Sequence, residues 1–303
     1  MQTSLLPPGV RLGISPLSWT NEVLEDLGGA IPLDTCLAQA AGNGFAGVEL
    51  GRKFPRDPAV LGPLLAGHGL ALVSGWYSGL LAERPAAEEM AAVTEHASLL
   101  KAMGASVLVY GPVGKMVSDR AMDLPLSRRL TLDADAMAAY ADRLREFEDR
   151  LFDAYGLKLA YHHHLMMVVE TFDEISRLVE RARCGLLLDT GHAAAAGFDY
   201  TRLIERFGDR ITHIHLKDVR RERLAAVRDE DRSFNEGVRA GMFTVPGDGD
   251  LDFAPVARFV KTTGYQGWLV VEAEQDPARA EAEPRAATKR AFDHVTSLFG
   301  APA

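Results

Sequence analysis

Hydrophobic and polar positions follow one repeating pattern along the chain. Short runs of strand-forming residues occur eight times, and alanine-rich segments with apolar residues at helical spacing separate them, as in PLDTCLAQAAGNG and AEEMAAVTEHASLLKAMG. Glycine closes or follows these segments, as is typical of helix C-termini. The strand-like runs are RLGISPLSW, AGVELG, LALVSGW, ASVLVYG, LKLAYHHH, CGLLLDTGH, RITHIHLKD and GWLVVEAE. We therefore predict eight strand–helix units.

This alternation predicts an α/β protein with the (β/α)8 TIM barrel fold. Strands that alternate with helices form parallel sheets through right-handed crossovers, and eight such units close into a barrel. A doubly wound open sheet is the alternative, but SPLSWTNE after the first strand has no glycine-rich phosphate turn. No low-complexity linker divides the chain, so we interpret residues 1–303 as one barrel domain. Long irregular stretches near 113–132 and 219–251 follow strands and are expected on the active-site face.

Composition and charge narrow the class of partner. The 303 residues are 47% hydrophobic and 25% charged, which is ordinary for a soluble globular protein. A net charge of -9 argues against a nucleic-acid or anionic-membrane surface and favours a small-molecule partner. The two cysteines are too few for a disulfide framework, and no secretory signal or membrane-length apolar run is seen. We expect a cytoplasmic enzyme, and a homo-oligomer is left open.

Side-chain alternation along the late strands indicates which residues point into the barrel. In LKLAYHHH the bulky Leu159 and Tyr161 form the outer set, which leaves His162 and His164 inside and His163 facing the helices. The same test selects further inward-facing polar residues on the sixth to eighth strands. They are Asp189, His213, His215, Lys217, Glu272 and Glu274.

Imidazoles and carboxylates that converge from separate strands are suited to a divalent metal. The fifth to eighth strands together bring His, Asp, His and Glu side chains to one mouth of the barrel. Mixed nitrogen and oxygen ligands suit Mn²⁺, Co²⁺, Fe²⁺ or Zn²⁺ better than Ca²⁺ or Mg²⁺, and we favour Mn²⁺ or Co²⁺. A single histidine at a strand end is more often a hydrogen-bonded rim residue, but four convergent positions favour metal. The remaining histidines His68, His96, His163 and His294 are assigned structural roles.

At these residues the chain resembles a known family. DTGH, HIHLKD and the VE pair on the eighth strand resemble the xylose-isomerase-like sugar isomerase and epimerase superfamily. SWTNE, GRKFPRDP, YHHH and FTVPGDGDLDF resemble the inosose dehydratase family within it, and the resemblance runs from Leu12 to about Phe299. It implies a metal held by Asp189, His215, Glu272 and a residue of the fifth strand.

The fifth strand departs from the superfamily pattern. That pattern has a glutamate followed two residues later by a histidine, whereas here His162 replaces the glutamate and His164 keeps the histidine. His162 is either the fourth ligand or an acid/base group beside an ion held by the other three. His164 could donate to a substrate oxygen. One carboxylate fewer would leave a more Lewis-acidic ion, which suits activation of a neutral ketone.

The resemblance implies a metal-dependent lyase of inositol catabolism. Its reaction would convert 2-keto-myo-inositol (scyllo-inosose), a cyclitol ketone, to a trihydroxycyclohexane-1,2-dione through an enediolate. Glu49 and Glu274 are candidate bases, and His192 and Lys217 are candidate acids or oxyanion partners, with a structural salt bridge as the alternative for each.

Two further positions are candidates for substrate binding. Trp76 points inward by alternation with Ser74, and its ring could cover the C–H face of a cyclitol. Lys53, in GRKFPRDP, could bind hydroxyl groups, although a solvated loop is an equally good interpretation. The charged stretch 219–251 could act as a lid or as a subunit contact.

Other functions remain open on the same barrel. A sugar isomerase or epimerase would use the same metal and enediolate but return the proton to a neighbouring carbon. A non-catalytic sugar-binding barrel would bind a ligand without turnover. An endonuclease for abasic DNA is disfavoured by the charge of -9.

Overall fold

Eight parallel strands close into a barrel in the computed structural model, which describes residues 6–115 and 121–300. The ten strands are β1 Val10–Ile14, β2 Gly47–Leu50, β3 Ala71–Gly79, β4 Val107–Pro112, β5 Lys158–His162, β6 Leu186–Asp189, β7 Ile211–Leu216, β8 Asp218–Val219, β9 Phe243–Thr244 and β10 Gly267–Val271. The barrel order is β1-β10-β7-β6-β5-β4-β3-β2, and β8 and β9 form a separate antiparallel pair. The predicted TIM barrel is confirmed, and each of the eight predicted runs overlaps one barrel strand.

Helices follow the barrel strands and cover the outside of the sheet. They are α1 Leu33–Gly42, α2 Pro58–Gly67, α3 Ala86–Ala102, α4 Ala134–Tyr155, α5 Phe172–Ala182, α6 Thr190–Ala195, α7 Thr201–Phe207, α8 Arg221–Asp229, α9 Phe234–Ala240, α10 Ala254–Thr263 and α11 Pro284–Gly300. Side chains mark several helix ends: Asp133 caps α4, and Gly156 ends it in the left-handed conformation. Within the described ranges, no helix combines the length and apolar character that crossing a bilayer requires.

The two faces of the sheet are filled as the alternation predicts. Inside the barrel, Val107, Val109, Ala160 and Leu187 pack as one buried apolar group. On the outside, the Tyr161 hydroxyl lies 3.1 Å from that of Tyr140 on α4. Because strand side chains alternate, the residues that follow Ala160 and Leu187 on the inner face are His162 and Asp189. The apolar interior therefore supports a polar layer at the carboxyl ends of the strands.

The stretch 219–251 is more ordered than the sequence suggested. It contains α8, α9 and the strand β9, which pairs with β8, and its apolar side chains pack on residues 165–167 after β5 in a second apolar cluster. The Asp218 carboxylate accepts hydrogen bonds from the backbone N–H groups of Gly247, Gly249 and Leu251, which fixes the PGDGD turn. This segment forms a packed wall beside the barrel mouth.

The second long stretch, 113–132, also borders the mouth. Residues 116–120 lie outside the described part of the chain, and the following residues form two short 3-10 turns, Ala121–Asp123 and Leu126–Arg128. The backbone N–H of Leu126 donates to the carbonyl of Arg232, and the Ser127 hydroxyl donates to Asp231. These bonds join the loop after β4 to the wall formed by 219–251.

Candidate metal centre and active site

Four buried side chains converge at the carboxyl ends of adjacent strands. They are His162 on β5, Asp189 on β6, His215 on β7 and Glu272 directly after β10, and we call them the metal cluster. One donor atom of each lies within 4.8 Å of the others. The Oδ2 atom of Asp189 is 3.4 Å from Nε2 of His162 and 3.7 Å from Nδ1 of His215. These are the four residues that the sequence predicted as ligands.

The orientation of the His162 ring suits a metal ligand. Its Nδ1 lies 2.7 Å from the carbonyl oxygen of His163, so Nδ1 carries the proton and Nε2 presents a lone pair to Asp189. Burial lowers the pKa of His162, although Asp189 opposes that shift, and the ring is therefore neutral. A neutral imidazole with a free nitrogen is the form that binds metal.

Asp189 divides its two carboxylate oxygens between a helix and the cluster. Oδ1 accepts a hydrogen bond from the backbone N–H of His192 and caps α6, which explains the DTGH spacing. Oδ2 is buried and accepts no hydrogen bond from any described residue. Burial favours protonation, but the charge of Lys217 holds the pKa of Asp189 well below its usual value. A buried, ionised oxygen that accepts no hydrogen bond fits a divalent cation.

His215 lies between two carboxylates. Its Nδ1 is 3.1 Å from Oε2 of Glu272, and its Nε2 is 3.1 Å from Oε1 of Glu49. Burial alone would lower the pKa of His215, but the charges of Glu272 and Glu49 raise it well above its usual value. His215 and Lys217 in turn outweigh the effect of burial on Glu272 and lower its pKa to about 2.

Glu49 is part of a hydrogen-bonded group below the metal cluster. Its Oε1 accepts from the Ser74 hydroxyl at 2.5 Å and lies 3.0 Å from Nε2 of His213, in addition to its contact with His215. Burial would raise the pKa of Glu49, but the charge of His215 and these hydrogen bonds hold it well below its usual value. The arrangement favours support of His215 over the predicted role of Glu49 as a base.

Lys217 occupies the space between the metal cluster and the barrel mouth. Its Nζ lies 2.8 Å from Oε2 of Glu272, Oε2 of Glu274 and Nε2 of His192. Burial opposes the charged form, but these carboxylates and Asp189 raise the pKa of Lys217, which stays protonated. The DTGH glycine makes room for it, because a Cβ at Gly191 would lie 2.4 Å from the Cγ of Lys217.

A second polar group lies on the mouth side of Lys217. His164, His192 and Glu274 come together there, so the structure groups His162, and not His164, with the metal cluster. The Nδ1 of His164 is 2.7 Å from the carbonyl of Leu165, and its Nε2 is 3.7 Å from Oε1 of Glu274. Burial, with the charges of His164 and Lys217, keeps the pKa of His192 well below its usual value.

Trp76 forms an aromatic wall at the mouth. Its ring centroid lies 5.4 Å from that of His162 and 5.9 Å from that of His164, and 36% of the residue is exposed. The ring covers Gly111 on the neighbouring strand, where a Cβ would lie 1.8 Å from Cζ2 of Trp76. The structure thus brings Trp76 beside the predicted ligands with an exposed surface.

Lys53 contacts backbone carbonyls of the loop after β1. Its Nζ donates to the carbonyl oxygens of Gly28, Gly29 and Ile31, at 3.4, 2.8 and 2.5 Å. Because these three contacts match the three donors of an ammonium group, Lys53 holds the loop after β1. These contacts favour the loop interpretation of Lys53 over its role in substrate binding.

Three of the histidines that were assigned structural roles contact residues outside the metal cluster. His68 pairs with Asp34, His96 contacts the Gly75 carbonyl, and His294 packs on Phe253. Sequence analysis assigned no function to Ser74 or His213, which both contact Glu49. Their only sequence signal was the alternation that placed them on the inner face.

The fold and the site together define a class of protein: a parallel (β/α)8 barrel with a buried His/Asp/Glu cluster suited to a divalent metal at its active-site face. A family model described as xylose isomerase-like TIM barrel matches residues 37–298. The chain belongs to that family, and within it to the inosose dehydratases and their relatives.

Two relatives illustrate the similarity. The chain is 41% identical over 294 residues to the rhizopine catabolism protein MocC of Rhizobium meliloti, covering 96% of this chain and 89% of that protein. It is 40% identical over 275 residues to an inosose dehydratase of Geobacillus thermodenitrificans, covering 89% of this chain and 92% of that enzyme. The similarity therefore spans nearly the whole of both proteins.

Solved structures support the fold alone. The IolI protein with a bound zinc atom superposes with a TM-score of 0.66 at 18% identity, covering 95% of this chain and 98% of that one. A D-psicose 3-epimerase superposes with a TM-score of 0.68 at 14% identity, covering 96% and 100%. The barrel architecture is thus shared with proteins of distant sequence.

Proposed function

We propose that the protein is a carbon–oxygen lyase of inositol catabolism that removes water from 2-keto-myo-inositol. The observation that carries the proposal is the buried metal cluster in a chain about 40% identical to inosose dehydratases over most of its length. The product would be a trihydroxycyclohexane-1,2-dione, reached through an enediolate. We further propose that the reaction takes place in the cytoplasm, on a small-molecule substrate and without a nucleic-acid or membrane partner.

His162, Asp189, His215 and Glu272 would hold the divalent metal. Two imidazole nitrogens and two carboxylate oxygens form a mixed donor set that suits Mn²⁺ or Co²⁺, with Fe²⁺ and Zn²⁺ as alternatives. When bound, the ion supplies Lewis-acid polarisation of the substrate ketone and stabilises the negative charge that develops on its oxygen. The Oδ2 atom of Asp189 supports this assignment, because it is a buried carboxylate oxygen that accepts no hydrogen bond from the described residues.

Glu274 is the favoured base for the hydrogen on the carbon next to the ketone. Its side chain is 10% exposed, so it reaches the mouth, and Lys217 keeps it ionised by donating to Oε2. Its Oε1 would take the proton while the C–H electron pair forms the enediolate. Glu272 is also ionised, but it belongs to the metal cluster.

His164 is the favoured acid for the departing hydroxyl group. Its Nδ1 is held by the Leu165 carbonyl, which leaves Nε2, 3.7 Å from Glu274, facing the mouth. With both ring nitrogens protonated, His164 would transfer the Nε2 proton to the hydroxyl oxygen as the carbon–oxygen bond breaks and water leaves. The proton taken up by Glu274 would then return to Nε2 of His164, 3.7 Å away. The enol that remains becomes the dione, so the net change is the loss of one water molecule.

Trp76 would orient the ring of the substrate. Its exposed face lies beside His162 and His164, where the C–H surface of a cyclitol can pack on an aromatic ring. Phe234 and Phe243 lie on the other side of His192 and belong to the second apolar cluster. These apolar surfaces would exclude water around Glu274 and His164.

The proposal is tested by turnover of 2-keto-myo-inositol with chelator-stripped protein, with and without added Mn²⁺ or Co²⁺. We expect dione, followed by its absorbance, only when metal is present. Rearranged ketose from a panel of sugars, without dione, would assign the protein to the isomerases or epimerases. Binding without turnover of any substrate would support a non-catalytic sugar-binding barrel.

A further inference from the structure

Glu49 accepts an unusual number of hydrogen bonds on one atom. Its Oε1 receives the Ser74 hydroxyl at 2.5 Å and lies 3.0 and 3.1 Å from Nε2 of His213 and Nε2 of His215. All four residues are buried: Ser74 has no exposed surface, and Glu49 is 6% exposed. These side chains come from β2, β3 and β7, so the group depends on the closed barrel.

The contact with Glu49 determines which nitrogen of His215 is free. A carboxylate oxygen can only accept, so the Nε2 that faces Glu49 must carry a proton. The other nitrogen, Nδ1, faces Glu272 and Asp189, the two carboxylates of the metal cluster. When a cation replaces the Nδ1 proton, the Glu49 contact keeps His215 in the tautomer that presents its lone pair to the cation.

The same geometry disfavours Glu49 as the base. Three donors already use the oxygen Oε1, and each would lose a charged acceptor if the carboxylate took up a proton from substrate. The Oε1 atom of Glu274 does not accept three hydrogen bonds in this way. It lies 3.7 Å from Nε2 of His164, and the side chain borders the mouth. The two glutamates therefore have different tasks.

We propose that Glu49, held by Ser74 and His213, is a positioning residue that orients His215 for metal binding. The proposal rests on the metal-dependent function proposed above. It assigns to Glu49 an effect on metal affinity, whereas a base would affect turnover at saturating metal and leave the affinity unchanged.

The first test compares the Co²⁺ dissociation constants of wild type, Glu49→Gln, Glu49→Ala and Ser74→Ala, measured by titration calorimetry. Loss of a partner outside the coordination sphere typically weakens metal binding by about 10–100-fold. We expect Glu49→Ala near the upper end, Glu49→Gln near the lower end because an amide oxygen still accepts, and Ser74→Ala in the same direction. Added Co²⁺ should restore most of the turnover of Glu49→Gln.

A matched control is Glu89→Gln. Glu89 is also buried, and it accepts from the Tyr110 hydroxyl at 3.0 Å, the Leu80 N–H at 2.9 Å and the Arg84 guanidinium, but it is not part of the metal cluster. Its Co²⁺ affinity should equal that of wild type. Unchanged affinity in both Glu49 variants, with turnover lost at saturating Co²⁺, would overturn the proposal and make Glu49 the base.

A second test reads the tautomer directly and does not depend on activity. In wild-type protein loaded with diamagnetic Zn²⁺, long-range ¹H–¹⁵N NMR should show His215 protonated at Nε2 and coordinated at Nδ1. Coordination at Nε2 would overturn the proposal even if metal-dependent turnover is found. Failure of the wild type to bind any divalent ion would instead reject the proposed function itself.

Discussion

The Nε2 atom of His162 lies 3.4 Å from Oδ2 of Asp189, across the ends of the adjacent strands β5 and β6. His162 holds its ring by donating from Nδ1 to the next carbonyl, and Asp189 holds its carboxylate by capping α6. Each side chain thus has one polar atom fixed by local backbone and a second atom aimed at the other. A histidine in this position, where the superfamily has glutamate, keeps the donor and removes one negative charge.

The first prediction separates the two inward histidines of the fifth strand. We expect His162→Ala to weaken Co²⁺ binding by at least about 100-fold, because loss of a direct ligand should exceed the effect of losing an outer partner. His164→Ala should leave the affinity near that of wild type and lower turnover, since His164 lies with Glu274 on the mouth side. Titration calorimetry checks both. Equal losses of Co²⁺ affinity in the two variants would contradict the assignment of His162, and not His164, as the metal ligand.

The second prediction separates the two tasks of Asp189. Asparagine is as good a helix cap as aspartate, so Asp189→Asn should fold with nearly normal stability but lose Co²⁺ affinity. Asp189→Ala should lose the affinity and, in addition, about 1 kcal/mol of unfolding free energy. Denaturant unfolding of the metal-free proteins gives the comparison. Full Co²⁺ affinity in Asp189→Asn would show that Oδ2 does not face the ion.

The third prediction concerns Glu274. Glu274→Gln should lower the turnover of 2-keto-myo-inositol by about 10²–10⁴-fold, because an amide cannot take up the proton. Its Co²⁺ affinity should stay close to that of wild type, since Glu274 lies outside the metal cluster. Turnover within threefold of wild type would exclude Glu274 as the base.

The fourth prediction concerns the aromatic wall. Trp76→Ala should raise KM by about 10-fold, the equivalent of about 1.4 kcal/mol of lost ring contact, without changing Co²⁺ affinity. Gly111→Ala should act in the same way, because its new Cβ would displace the indole ring. Trp76→Phe is the conservative control and should recover part of the loss. An unchanged KM in both Ala variants would remove Trp76 from the substrate site.

The fifth prediction concerns Lys217. Lys217→Met would leave Glu272 and Glu274 buried without their shared cation, which should cost the metal-free protein about 3–5 kcal/mol. Bound Co²⁺ would supply part of the missing charge, so metal should raise the Tm of this variant more than that of wild type. Calorimetric scans with and without Co²⁺ test this. Identical Tm values for the metal-free wild type and the metal-free Lys217→Met variant would show that the charge of Lys217 does not stabilise Glu272 and Glu274.

Much of the barrel and of the metal cluster follows from local sequence patterns. A strand residue points inward or outward by parity, so the bulky Leu159 and Tyr161 are enough to place His162 inside. The carboxyl ends of all barrel strands meet on one face, so inward polar residues at those ends must converge. Parity and strand order therefore predict that these polar side chains meet, and the family resemblance selects among them the four residues of the metal cluster.

The partners of these residues could not be predicted in the same way. Glu49 and His215 are separated by 166 positions, and their contact depends on the tilt and closure of the barrel. Lys53 looked free in sequence, but the loop after β1 folds back so that three carbonyls surround its ammonium group. Such contacts depend on loop conformation, which no periodic pattern encodes.

The most direct measurement is the structure of the Co²⁺-loaded protein, with the ion located by its anomalous scattering. The account predicts a single strong peak about 2.0–2.3 Å from Nε2 of His162, Nδ1 of His215 and carboxylate oxygens of Asp189 and Glu272. An ion held by the other three with His162 out of reach, or an ion seated between His164, His192 and Glu274, would contradict it.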